Sequence, residues 1–401
     1  MKIADVRTTV VAVPQKREYP SNWRRGYQGS TPQVAVLVEI ETDDGLVGIG
    51  ESPAVWAGRP EATIALVDAV RPLLLGADPF EHDILRRRLY AETGMAHLGT
   101  QGTSWAISGL DTALWDLVGR AVGQPLHRLW GGAWRTSSPF YADVPPGEPS
   151  QMAQDAAVWV ERGFRTIYVK VGFGQDVDVA RVRAIREAVG AGPRIRVDAN
   201  QAWSPGAART IIERLASFEL EYVEQPTAAS NLDEMAALRR MVGVPILAHE
   251  ASLTVEGTLA TIAKQAADAL QLDPRFDAGI AGARTAALMA EAAGLPVVTH
   301  TFGELGVATA AVLQLHAAHR NFVLDNQTYY WNLEDDVIAG GPLPWHGCEL
   351  EVPRGSGIGV ELDRERVAHY AALYEREVRD RARGGPSDDF YGLEYLIRPR
   401  G

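Results

Sequence analysis

Short apolar runs recur between residues 164 and 327, and each ends on a polar side chain with chemical potential. FRTIYVKVG carries Lys170 after Ile167, Tyr168 and Val169, and RIRVDAN carries Asp198. LEYVEQP follows with Glu224, PILAHE with Glu250, ALQLD with Asp273, PVVTH with His300 and FVLDN with Asp325. Neighbouring members lie 23 to 28 residues apart, the length of one strand, one helix and two short loops. Each polar residue closes its run at the C-terminal end, where a (β/α) barrel collects its reactive side chains. With SPFYADV as a first strand, the pattern predicts eight strands and one closed barrel.

Ahead of the barrel the pattern differs. Residues 1 to 13 and 33 to 51 alternate as strands, and Asp43-Asp44-Gly45 predicts a tight hairpin turn. Residues 60 to 91 and 101 to 123 show helical periodicity, with Trp105, Leu110, Ala113, Leu114 and Leu117 on one face. The second helix is expected to end at Gly123, before Pro125. Strands followed by helices indicate a separate α+β domain over 1–132, joined through WGGAWRTSSP to a barrel over 133–345. A segment over 346–401 ends in a helix expected to pack back on the first domain. The polar stretch at 13–32 reads either as a plain connection or as a lid. In the second reading Trp23 and Arg24, with Arg25 and Tyr27, contact an anionic ligand.

Composition narrows the partners. A formal charge of −12 and a pI near 5.3 over 401 residues argue against nucleic acid and against an anionic membrane. The single cysteine, Cys348, excludes an internal disulfide framework and reads as a small filler residue in a reducing, cytoplasmic setting. The N-terminal run alternates like a strand and lacks the long apolar core of a secretory or membrane-spanning segment. The expected partners are a small carboxylate substrate and further copies of the chain.

DAN at 198–200, EQP at 224–226, GLPVVTH at 294–300 and the helix ISGLDTALWDLVGRAVGQPLHRLWGG at 107–132 together resemble the enolase superfamily, close to its mandelate racemase and muconate lactonizing branches. The resemblance covers nearly the whole chain. It implies a modified (β/α) TIM-type barrel with an α+β N-terminal capping domain completed by the C-terminal segment. It also implies Mg²⁺-assisted abstraction of the proton α to a carboxylate.

Residue chemistry agrees with that implication. Asp198, Glu224 and Glu250 end consecutive strands, so their carboxylates converge over one face, and three hard oxygen donors suit Mg²⁺. His249 is open as a ligand, a substrate contact or a core histidine. Lys170 reads as a base whose pKa falls beside a metal ion. The family often has Lys-x-Lys here, so Tyr168 puts a neutral donor where a cation meets the substrate carboxylate, with Asn200 nearby. Asp273 holding His300 forms the second acid–base group and resembles the mandelate racemase branch. Arg275 stands where the muconate lactonizing branch would carry a lysine. Asp325, or its neighbour Asn326, is expected to reach the substrate.

The reaction expected is dehydration of a sugar acid to a 2-keto-3-deoxy acid through an enediolate. Racemisation or epimerisation of an α-substituted carboxylate, or cycloisomerisation, is the alternative. A non-catalytic barrel that only binds a small acid would lack a ligand, a base or an acid, and the sequence holds a candidate for each.

Overall fold

The hairpin forms where Asp-Gly allows it. Gly45 has φ +84° and its N–H reaches the Thr42 carbonyl at 2.9 Å, a backbone that favours glycine. The computed structural model describes residues 1–16, 32–54, 60–92, 101–301 and 303–379. Strands β1 (Ile3–Val13), β2 (Gln33–Thr42) and β3 (Val47–Pro53) form an antiparallel sheet in that order. Helices α1 (Glu61–Leu74), α2 (His82–Glu92) and α3 (Gln101–Ala121) follow. Strand β3 lies so close to α3 that a Cβ at Gly50 would sit 2.0 Å from the Gly109 carbonyl oxygen.

Two aspartates of α3 bind the parts of the molecule together. Asp111 Oδ2 accepts the Ala281 N–H at 2.9 Å, at the start of a barrel helix. Asp116 accepts the N–H groups of Ile49 (2.9 Å) and Ile358 (2.8 Å) and the Arg120 Nε–H (2.6 Å). A buried carboxylate is tolerated when its lone pairs are satisfied in this way.

The barrel runs β5 (Ala142–Val144), β6 (Thr166–Lys170), β7 (Arg194–Asp198), β8 (Leu220–Glu224), β9 (Ile246–Ala248), β10 (Ala269–Leu272) and β11 (Val297–Thr299), all parallel and in sequence order. Helices α4 (Pro149–Glu161), α5 (Gln175–Val189), α6 (Pro205–Leu215), α7 (Leu232–Met241), α8 (Val255–Lys264), α9 (Ile280–Ala292) and α10 (Gly306–Ala318) alternate with the strands. Their starts are legible in the chain. Ser204, Asn231 and Thr254 each accept an N–H three residues on, and Pro205 occupies the first turn of α6.

Two expected strands differ. SPFYADV is split: β4 (Ser137–Pro139) pairs antiparallel with Glu349–Glu351 in a separate small sheet, and only Ala142–Val144 enters the barrel. Pro139, which has no N–H to give a ladder, marks the break. FVLDN is not a regular strand, yet it closes the ring. Val297 N–H reaches Asn321 O and Gln327 N–H reaches Thr299 O on one side. On the other side, Asn326 N–H reaches Pro139 O and Tyr141 N–H reaches Asn326 O. The result is the α/β fold expected, a TIM-type barrel with an N-terminal α+β cap.

Beyond the barrel, α11 (Arg364–Leu373) leads to Tyr374 and Val378, which pack with Ala12 and Val34 of the N-terminal sheet. Among the described residues no helix is long and apolar enough to cross a membrane.

Candidate active site

Strand register turns the sequence period into a row of side chains. Lys170 pairs with Asp198, and Asp198 pairs with Glu224, so all three leave the barrel at one height. Leu272 pairs with Thr299, which puts Asp273 beside His300 by the same rule. Motif residues just past the strands take unusual backbone. Asn200 has φ +41° and Gln225 φ +35°, and asparagine tolerates the left-handed region better than most residues.

His249 and Glu250 reach the same site although neighbours on a strand point to opposite faces. The strand ends at Ala248, and the chain turns into a 3₁₀ helix, Glu250–Ser252. Gln225 Oε1 fixes that turn by accepting the N–H groups of His249 (3.0 Å) and Ala251 (3.1 Å). His249 Nδ1 lies 3.0 Å from Glu224 Oε1 and 3.6 Å from Glu250 Oε2. Ligand atoms of Asp198, Glu224 and His249 all lie within 4.8 Å of one another.

This donor set fits a divalent cation. Asp198 and Glu224 are fully buried. Burial, and next the Asp198 charge, push the Glu224 pKa up to about 7, a strain that a dication relieves. Burial opposes a charge on His249, but the hydrogen bond to Glu224 and the Glu250, Glu224 and Asp198 charges outweigh it and raise its pKa to about 9. Glu250 Oε2 and His249 Nε2 are buried without a hydrogen-bond partner. Glu250 was expected as the third ligand, and the tight group contains His249 in its place. Glu250 stands beside it, its Oε1 accepting from Asn200 Nδ2 at 3.0 Å.

On one flank, the Lys170 ammonium donates to Asp198 Oδ2 and to Asn200 Oδ1. Burial lowers its pKa, and the charges of Asp198 and Glu224 more than reverse that, so the net shift is upward. The fall expected of Lys170 depends on a metal ion beside it; by themselves, the carboxylates around Lys170 favour its charged form. Tyr168 stacks on Tyr141, and its hydroxyl donates a hydrogen bond to Asp198 Oδ2 at 2.5 Å. It contacts a ligand-set carboxylate and is fully buried.

On the other flank, His300 Nδ1 lies 2.7 Å from Asp273 Oδ2. Arg275 grips the same carboxylate in bidentate fashion, Nε to Oδ1 at 2.9 Å and a terminal nitrogen to Oδ2 at 2.7 Å. Burial would raise the Asp273 pKa, but Arg275 and His300 hold it well below the usual carboxylate range. Burial, then the His249 charge, lowers His300 to about 3 despite Asp273. The His249 and His300 rings are 4.2 Å apart.

Asp325 is corrected. Its carboxylate accepts the Thr166 hydroxyl at 2.7 Å, and Thr166 opens strand β6 at the end opposite Lys170. It therefore belongs to the barrel floor, where Arg165 and Arg194 lie within 4.0 Å. Asn326 is buried in hydrogen bonds to Thr299 N–H (2.9 Å) and Ser138 (3.3 Å). Trp23 and Arg24 lie outside the described residues.

Three polar residues escaped the sequence reading. With its amide oriented to donate, Gln271 reaches Glu224 Oε1 at 2.8 Å and Oε2 at 3.1 Å. Its signal was available, since it lies two residues before Asp273 on the barrel side of β10. Glu304 accepts the Thr328 hydroxyl at 2.8 Å, and its other oxygen is buried without a hydrogen-bond partner. Glu51 of the N-terminal sheet shares a small cavity with Glu304, Arg275 and His300.

Comparison with known proteins agrees with this geometry. The N-terminal domain model of the mandelate racemase / muconate lactonizing enzymes matches residues 5–131, and the enolase C-terminal domain-like model matches 151–367. The chain is 31% identical to the hydrophobic dipeptide epimerase of Enterococcus faecalis, over 81% of this chain and 91% of that one. It is 32% identical to the arabinonate dehydratase of Saccharolobus solfataricus, over 82% and 89%. An enolase of Pseudomonas fluorescens solved with magnesium, potassium and tartrate superposes with a TM-score of 0.79 at 26% identity, over 94% and 93%. Matched along both its domains, the chain belongs to the mandelate racemase / muconate lactonizing enzymes of the enolase superfamily.

Proposed function

We propose that the protein removes the proton α to a substrate carboxylate with Mg²⁺ bound, and dehydrates a sugar acid to a 2-keto-3-deoxy acid. The observation that carries this is the placement of Lys170 and His300 on opposite flanks of one ligand group. Lys170 touches Asp198 at one side, and the His300 ring packs against His249 at the other, tilted by 47°. Held by Asp198 and Glu224 with His249 or Glu250, the dication would supply Lewis-acid stabilisation of the charge that develops on the substrate carboxylate.

The chain's own groups handle the protons. With Asp198 and Glu224 holding a dication, the charges that favour ammonium would be offset, and Lys170 Nζ would accept the α-proton. Asp273 holds His300 by Nδ1, so Nε2 is the nitrogen left to face the substrate. As the acid of this step His300 is the imidazolium, a form that an uncharged, metal-bound His249 would favour by removing one charge that opposes it. Nδ1–H stays on Asp273, the Nε2 proton passes to the departing β-hydroxyl, which leaves as water, and the resulting enol tautomerises to the keto acid. Glu304, bonded to Thr328 and lining a cavity with His300, suits a hydroxyl-rich acid. The relative named arabinonate dehydratase accords with this outcome.

A second reading has its own support. His300 is held neutral and Lys170 charged, the complementary pair that moves a proton from one face of the α-carbon to the other. That would make the enzyme an epimerase, in line with the relative named hydrophobic dipeptide epimerase. Incubating sugar acids and N-acylated or dipeptide carboxylates with Mg²⁺ in D₂O separates the two. Keto acid from a sugar acid supports dehydration. Deuterium at the α-carbon with inverted configuration and no keto acid overturns it in favour of epimerisation.

A further inference from the structure

Helix α10 begins just after the segment that carries His300, and its own N-cap residue, Leu305, offers no capping side chain. Carboxylates from elsewhere supply the cap. Glu51, on β3 of the N-terminal sheet, accepts the Leu305 N–H at 2.8 Å through Oε1 and the Ala308 N–H at 2.9 Å through Oε2. Asp336 Oδ1 accepts the Gly306 N–H at 3.2 Å. The exposed donors and the dipole of a helix start both favour a carboxylate there.

The same sheet touches the loop once more. Gln33 Nε2 donates to the Gly303 carbonyl at 3.2 Å. Gly303 has φ +109°, and a Cβ there would lie 2.6 Å from Gln33 Oε1. At its other end the loop is fixed to the barrel, with His300 N–H on Leu272 O (2.8 Å) and Thr301 N–H on Gln327 Oε1 (3.2 Å). A cavity of about 50 Å³, lined in part by Glu51, Arg275, His300 and Glu304, runs along this junction. Side chains do not fill that space, which is enough for a water. The helix end of the loop is therefore tied to the N-terminal sheet by the Glu51 and Gln33 bonds, beside the Asp336 cap and the Thr328–Glu304 bond.

We propose that Glu51 is a positioning residue for His300: through the N-terminus of α10, the N-terminal sheet holds the His300 imidazole against Asp273. The inference rests on the reading of His300 as an acid–base group. It gives the cap a part in setting one half of the barrel's site.

The test uses the full chain with Mg²⁺, labelled with ¹⁵N-histidine, at a pH above about 8 where Glu51 is ionised and both its oxygens accept, and His300→Asn identifies the His300 signals. In Glu51→Gln an amide NH₂ replaces one acceptor and faces a backbone donor. The His300 Nδ1–H, held on Asp273, should then exchange with solvent at least about tenfold faster. Signals of His316, anchored by Ser138 (2.8 Å) and Thr299 (3.0 Å), should not change, nor should Mg²⁺ affinity by calorimetry. Unchanged exchange at His300 in folded Glu51→Gln overturns the proposal. Equal acceleration at His316 does too, because it makes Glu51 a general stability residue. If Glu51→Gln does not fold, Gln33→Ala takes its place and must loosen His300 alone. Should His300→Asn retain full turnover, the functional reading fails while the exchange result still decides the positioning claim.

Discussion

His249 Nδ1 lies 3.0 Å from Glu224 Oε1, closer than to its own neighbour Glu250, whose Oε2 is 3.6 Å away. The imidazole is thus the third member of the tight group with Asp198 and Glu224, and Glu250 lies beside it. His249→Asn is expected to weaken Mg²⁺ binding about tenfold or more, and Glu250→Gln less, since supporting groups act through the ligand they orient. Calorimetric titration of both variants checks the order. A larger loss in Glu250→Gln would return the third ligand to the carboxylate.

The two flanks are predicted to fail differently. His300→Asn and Lys170→Ala should each lower turnover by about 10²-fold or more, the usual scale for a positioned acid or base. In a dehydratase with Lys170 as base, His300→Asn should still exchange the α-proton with D₂O while releasing little keto acid. Proton NMR in D₂O beside a keto-acid assay reads both. Keto acid from His300→Asn at the wild-type rate would make His300 structural.

Much of this was legible in the chain because parallel strands repeat a simple rule. Each run ends on one polar residue, and the Lys170–Asp198–Glu224 register keeps those ends level. Asp325 broke the rule because its segment is not a regular strand, so alternation does not fix where its side chain points. The choice between His249 and Glu250 turned on where β9 stops, which a three-residue strand does not announce. Glu51 was hidden for another reason. Its partner Leu305 lies 254 residues away, and no local pattern carries a contact of that separation.

Arg275 is expected to act through Asp273. Arg275→Met leaves the carboxylate with the Arg275 backbone N–H (2.9 Å) and His300, but without its bidentate partner. Removing that cation should let the His300 pKa climb from its depressed position, since Arg275 is one of the charges that lower it. The pH profile of kcat should shift upward with it, and Arg275→Lys should restore charge without the paired geometry. An unmoved profile in Arg275→Met would show that Arg275 does not set the His300 environment.

Glu51 also predicts how stability depends on pH. Burial pushes its pKa up to about 8 against two N–H donors that pull it down, whereas an unfolded glutamate titrates near about 4.3. Between those values the folded state holds a proton that the unfolded state has lost. Folding is therefore favoured by this group below about pH 4.3, and that contribution drains away as pH rises toward 8. The slope from one such group is at most about 1.4 kcal/mol per pH unit. Glu51→Gln cannot titrate, so its stability should vary less between pH 5 and 8 than that of the wild type, which should lose stability relative to the variant as pH rises. Thermal unfolding of both proteins across that range, at fixed Mg²⁺ and ionic strength, measures the difference. Parallel curves would mean that Glu51 is already ionised in the folded protein, with its two backbone donors outweighing burial.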